Sequence, residues 1–144
     1  NYVEVPTDCP QRDERMGYTG DGQVFALTGA YNFDTNDFWK NFLRDLELGQ
    51  LDNSEGYVCA TVPQTGPAGI GFVNMLGWGN AVTILPELMY WQFGDEKALP
   101  QQYESMKKFV EAEIRKMEGR NLWLGVSLGD WLALGKGYGM AGTA

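Results

Sequence analysis

The sequence predicts an all-α domain made of helical hairpins in two layers. Two observations carry that prediction. Segments with apolar residues at spacings of three and four and charge on the other side alternate with segments almost free of charge. Glycine and proline collect between the segments, where a chain turns.

Residues 22–33, GQVFALTGAYNF, are almost uncharged and suit a helix buried nearly all round. Residues 34–49, DTNDFWKNFLRDLELG, offer Asp34 or Thr35 as a cap, apolar Phe38, Phe42, Leu43 and Leu46, and Gly49 as a stop, the pattern of an amphipathic helix. Residues 50–77 have glycine and proline throughout and no helical period. A loop of that length in a compact domain serves as a lid or site wall. Residues 78–94, WGNAVTILPELMYWQFG, read as a second buried helix, capped by Asn80, closed by Gly94 and bent at Pro86. Residues 96–119 follow as an outer amphipathic helix, with Leu99, Tyr103, Met106, Val110, Ile114 and Met117 as its apolar stripe; Asp95 and Glu96 mark its start. The remainder to Ala144 is aromatic and then glycine-rich, with a loosely ordered tail expected.

Buried and amphipathic helices in alternation suit two concentric layers. Six such hairpins would close an (α/α)6 toroid. Twelve helices of about 11 to 12 residues need at least roughly 200 residues, so 144 residues make one domain, 1–144, that is an arc of such a ring or a smaller helical unit. A chain of this arc alone is expected to expose its inner helices and to dissolve poorly.

Composition narrows the partners. The net charge of −8, with no histidine, leaves no basic face for nucleic acid or an anionic membrane. No apolar run approaches the ~20 residues of a membrane span. The first residue is Asn1 rather than methionine, as in a piece of a longer polypeptide, and compartment stays open. Cys9 and Cys59 lie far apart without histidine or CxxC companions, so no metal or redox site is expected, and a disulfide or two free thiols are both open. GPAGIG at 66–71 lacks the lysine of a phosphate loop and reads as flexible lid rather than nucleotide site. No cofactor is expected.

The segment TDCPQRDERMGYTGDGQVF, residues 7–25, is the unusual one. Asp8, Asp13, Glu14 and Asp21, with Arg12 and Arg15, cannot share a helical face because Pro10, Gly17 and Gly20 interrupt it. A self-paired, solvated loop entering a helix is one reading, with Asp21 favoured near the helix start by the dipole. An acidic pocket wall is the other. Glycoside hydrolysis needs one carboxylic acid to protonate the leaving oxygen and a second carboxylate to activate water or attack. Neighbouring carboxylates keep one member protonated, while arginines hold others ionised to bind sugar hydroxyls.

DCPQRDERMGYTGDGQVFALTGAYNFD resembles the segment that opens the catalytic domain of bacterial α-L-rhamnosidases of glycoside hydrolase family 78. The resemblance continues through FWKNFLRDLELGQ, VPQTGP, WGNAVTILPELMY, FGDEKAL and GDWLAL, covering essentially the whole chain in order. It implies an (α/α)6 catalytic domain and inverting hydrolysis of terminal α-L-rhamnosides, with a rhamnose-bearing glycoside as the substrate. Glu14 matches the family's general acid, and Asp8 and Asp21 match carboxylates that hold rhamnose hydroxyls. Trp78 and Trp131 resemble aromatic positions lining the sugar pocket, where the methyl group of rhamnose gives a ring something apolar to pack on. Tyr18 stands where tryptophan is common and Asn80 where many members have aspartate. The family's general base lies further along than Ala144, so the chain by itself is not expected to turn over.

Arg12 and Asp13 are further substrate-side candidates, and Asp130, between a glycine and Trp131, is another. Trp39 and Trp91 fit helix-core positions; Trp123 fits either role. Oligomeric state stays open, a homo-oligomer included. Two other functions compete: an (α/α)6 glycosidase for glucosides or uronic acids, and a non-catalytic carbohydrate-binding or structural domain. Arg12 and Arg15 among four carboxylates are poor recognition groups for an anionic uronic acid.

Overall fold

The computed structural model describes Pro6, residues 16–64 and residues 74–123. Among these, four helices follow in order: α1 (Thr19–Asn32), α2 (Asn36–Leu51), α3 (Ala81–Phe93) and α4 (Ala98–Lys116). No strand forms among the described residues; their isolated bridges include Tyr18 with Thr61 and Cys59 with Asn74. α3 packs on α1, α2 and α4, and α2 also meets α4. The nearly uncharged helices α1 and α3 are thus neighbours, as are the amphipathic helices α2 and α4. That is the two-layer hairpin arrangement expected from the alternation of patterns.

The core joins Trp39, Phe42, Leu43 and Leu46 of α2 to Val82, Leu85 and Met89 of α3, with Ala26 of α1, Phe109 of α4, and Val58 and Val62 of the connecting segment. Trp39 is fully buried, with Phe38 and Phe42 edge-on to its ring at 4.9 and 5.7 Å. Each large side chain buried here contributes about 1.5–3 kcal/mol of transfer free energy.

Local signals explain most boundaries. The Asp34 carboxylate accepts the Asn36 N–H at 3.2 Å, while Thr35 holds the cap position of α2 without a side-chain cap bond. Asn80 precedes α3 likewise without a side-chain cap. Gly94 closes α3 in the left-handed conformation, φ +66°, with its N–H on the Tyr90 carbonyl at 3.1 Å. α3 runs through the buried Pro86. The Asp95 carboxylate accepts the Lys97 N–H at 3.1 Å just before α4.

Three expectations, on Gly49, the α4 stripe and Trp91, are corrected. Gly49 does not stop α2, which continues to Leu51; the glycine instead lets Gln64 approach, and Gln64 donates to the Gly49 carbonyl. On α1 the small residues Gly20, Gly22, Ala26 and Gly29 are buried, while Val24 is 79 % and Tyr31 73 % exposed, the exposure of an inner helix expected of an arc alone. The buried face of α4 is Ala98, Gln102, Ser105, Phe109 and Ala112, not the stripe of larger residues, because small side chains permit close packing on its neighbours. Trp91 is not core; it is 70 % exposed, edge-on to Tyr90 at 5.0 Å. The expected lid at 66–71 and loose tail fall outside the described residues.

Candidate active site

The candidate site residues that the structure describes lie at the N-terminal end of α1 and across from it. Residues 17–19 lie alongside residues 59–62: Thr19 N–H donates to the Ala60 carbonyl at 2.9 Å, and Val62 N–H donates to the Gly17 carbonyl at 2.8 Å. The fully buried Thr19 hydroxyl reaches the carbonyls of Cys59 and Ala60, both at 3.1 Å. Val58–Val62 is buried although irregular, because its polar backbone atoms find partners in these neighbouring segments. Residues 58–62 are therefore a structural wall at this end of the bundle.

Trp78 closes the same end from the turn that precedes α3. A Cβ built on Gly20 would lie 2.8 Å from the Trp78 indole, so the ring rests directly on the first turn of α1. Such contact requires glycine. Trp78 N–H donates to the Met75 carbonyl at 3.1 Å, and Gly77 adopts φ +89°, the third position of a type II turn. Behind the turn, Gly79 is packed under Phe109, with a built Cβ 2.6 Å from the ring.

Three of the sequence candidates are thus brought together: Tyr18 immediately before α1, Asp21 in its first turn and Trp78 across Gly20. All three are half-buried. A carboxylate in the first turn meets the positive end of the helix dipole, which favours its ionised form. Pro6 packs on Gly22, with 3.1 Å from its Cγ to a Cβ built there, so the described residues flanking the acidic motif, Pro6 and Met16, both lie at this end of α1. Asp8, Arg12, Asp13, Glu14, Asp130 and Trp131 lie outside the described residues, as does Cys9. Cys59 is a free, buried thiol.

Residues that sequence reasoning passed over include Thr19, Gly20 and Gln23, whose Nε2 donates to the Gly77 carbonyl at 2.5 Å. TGDGQ carries their only signal: glycines beside a threonine at a helix start. Glu113 of α4 is half-buried, and burial raises its carboxyl against the opposing pull of Asn74 and Lys116. It sits on the outer layer. No group of three or more His, Cys, Asp or Glu among the described residues is placed to hold a metal, and no described helix is long and apolar enough to cross a membrane.

A family model described as the bacterial alpha-L-rhamnosidase 6 hairpin glycosidase domain matches residues 1–143. The chain belongs to this family. An α-L-rhamnosidase of Formosa agariphila is 43 % identical over 110 residues, covering 76 % of this chain and 11 % of its own length. One from an Alteromonas species is 36 % identical over 150 residues, covering 99 % and 15 %. The crystal structure of the Streptomyces avermitilis α-L-rhamnosidase complexed with L-rhamnose superposes with a TM-score of 0.80 at 36 % identity, over 92 % of this chain and 12 % of that one. Native rhamnosidase from Aspergillus terreus gives 0.82 at 34 % identity, over 95 % and 16 %. The chain therefore spans a small fraction of its curated relatives. The two hairpins α1–α2 and α3–α4 are an arc of the (α/α)6 fold of this six-hairpin family.

Proposed function

We propose that this chain is the early part, residues 1–144, of the catalytic domain of an α-L-rhamnosidase. The protein that carries it would release terminal α-L-rhamnose with inversion at the anomeric carbon. The observation that carries the proposal is the family match across the chain, together with the gathering of Tyr18, Asp21 and Trp78 at the one end of α1 that also receives both flanks of the acidic motif.

In this reading Glu14 is the general acid. Asp8 and Asp21, with Arg12 and Asp13 beside them, bind the sugar hydroxyls. Trp78, Tyr18 and Trp131 supply the apolar wall, and Asp130 faces the substrate. The base that activates water lies outside residues 1–144 and faces Glu14 across roughly 6.5–9.5 Å, the separation that leaves room for water. The oxocarbenium-like transition state is cationic, and a pocket rich in carboxylates stabilises it more than the neutral ground state. The apolar side of α1 that carries Val24, Leu27 and Tyr31 is covered by other hairpins of the domain.

The test is hydrolysis of an aryl α-L-rhamnoside by the protein that carries this segment, beside Glu14→Gln. Cleavage by the parent, with initial formation of β-L-rhamnose and a loss of about 10² or more in the variant, supports the reading. An untouched rhamnoside, or an unaffected variant, rejects it.

A further inference from the structure

We propose that Gln23 is a positioning residue that sets the Trp78 indole, an inference that rests on the reading of Trp78 as a wall of the sugar site. Gly20 and Gln23 are three residues apart on α1 and so share one face. Gly20 takes the flat contact of the indole, and Gln23 donates from Nε2 to the carbonyl of Gly77 at 2.5 Å. That carbonyl belongs to the peptide that leads into Trp78.

The turn's own hold on that peptide is the Trp78 N–H bond to the Met75 carbonyl at 3.1 Å; Gly77, at φ +89°, brings no side chain, and a Cβ built on it meets no described atom within 4 Å. Rotation of the Gly77–Trp78 peptide would swing the indole off Gly20. The Met75 bond on its N–H and the Gln23 bond on its carbonyl both resist this, and the Gln23 bond is the one that ties the peptide to α1. Packing alone would favour an apolar side chain here, because the amide leaves its Oε1 buried without a hydrogen bond. The polar group is accounted for by its donor, which is spent on the peptide that aims the ring.

Gln23→Met keeps length and volume, removes the donor and also removes the unpartnered oxygen, so it separates positioning from folding. In the parent enzyme the expected result is a KM for aryl α-L-rhamnoside raised about 3- to 10-fold with kcat within about twofold, and no loss of thermal stability. In fluorine NMR of fluorotryptophan-labelled protein, the line that disappears in Trp78→Phe moves in Gln23→Met, while the Trp39 line stays. Added to Trp78→Phe, Gln23→Met has no further effect on kcat/KM. An unmoved Trp78 line, or additive effects in the double variant, overturns the inference. A moved line with a KM indifferent to Trp78→Phe upholds the positioning and rejects Trp78 as a sugar wall.

Discussion

Gly20 and Trp78 are in such close contact that no other residue fits at position 20 without moving the ring: a built Cβ lies 2.8 Å from Cδ1 and Nε1 and 2.9 Å from Cγ. Because Cγ lies at the root of the side chain, the indole cannot yield by bending its tip. Alanine for glycine in a helix gains about 0.5–1 kcal/mol, whereas overpacking of this kind costs about 1–3. The clash prevails. Gly20→Ala is expected to lower stability by roughly 1 kcal/mol, read from the urea midpoint, and to shift the Trp78 emission. Unchanged midpoint and emission would mean that the ring has room to move.

Gly79 makes a second, separable test. A Cβ there meets Phe109 at 2.6 Å and Val58 at 3.4 Å, while one on Gly77 meets nothing and suffers only the left-handed backbone. Gly79→Ala should cost about 1–3 kcal/mol through the ring and recover much of it when combined with Phe109→Leu. Gly77→Ala should cost about 1 kcal/mol and gain nothing from the same partner change.

A third prediction concerns the amide–hydroxyl pair that joins α2 to α4. Gln50 donates to the carbonyls of Gly56 at 2.7 Å and Ser105 at 3.1 Å, and its Oε1 accepts the Ser105 hydroxyl at 2.8 Å. Both side chains are about 3 % exposed. Gln50→Leu takes the partner from the Gly56 carbonyl and the Ser105 hydroxyl, while the Ser105 carbonyl keeps its place inside α4, so a loss of about 2–4 kcal/mol is expected; Ser105→Ala strands one acceptor and should cost about 1–2. The order of the two midpoints is the check.

That pair also shows where sequence reading stops. Hairpin order, the Gly94 stop and the core places of Phe42, Leu43 and Leu46 follow from three-four spacing and cap chemistry, which are local. The α4 stripe failed by one position because Gln102 and Ser105 look solvent-facing until Gln50, distant in sequence, supplies the Ser105 partner. On α1 the glycines mark the face that packs among the described residues, and the large apolar residues mark the face left open, as expected of an inner helix in an arc alone. Asp21 is a candidate both from the crowding of carboxylates around it and from the family motif, whereas Trp78 is a candidate only through the motif. Gln23 has no pattern at all, since its role depends on a turn more than fifty residues away.

A fourth prediction follows from Asp95, which ties the start of α2 to the turn before α4. Its carboxylate accepts Asn36 Nδ2 and Lys40 Nζ, each at 3.1 Å, and the Lys97 N–H at 3.1 Å. The Asn36 bond first and the Lys40 bond second hold its pKa below the ordinary carboxylate value. A depressed folded pKa gives stability that is complete above the unfolded value of about 4 and is lost as pH falls through the folded one. Wild type should therefore exceed Asp95→Asn in urea midpoint at neutral pH, and the difference should shrink on acidification below about pH 4. A difference independent of pH would assign the effect to packing rather than charge.

The last prediction uses the thiol next to the site as a reporter. Cys59 is 2 % exposed, and burial pushes its pKa up against the opposing hydrogen bond from Gln64. A neutral, covered thiol is a poor nucleophile, so an aromatic disulfide reagent should label it only when residues 59–62 open. Its carbonyl, with that of Ala60, accepts the Thr19 hydroxyl, the bond that holds this strip to the start of α1. Thr19→Val keeps the shape and removes the donor, weakening the closed state by about 1–2 kcal/mol, which corresponds to roughly 5- to 30-fold faster labelling of Cys59. Equal labelling rates in the two proteins would show that the backbone bonds at Thr19 and Val62 hold the wall without the hydroxyl.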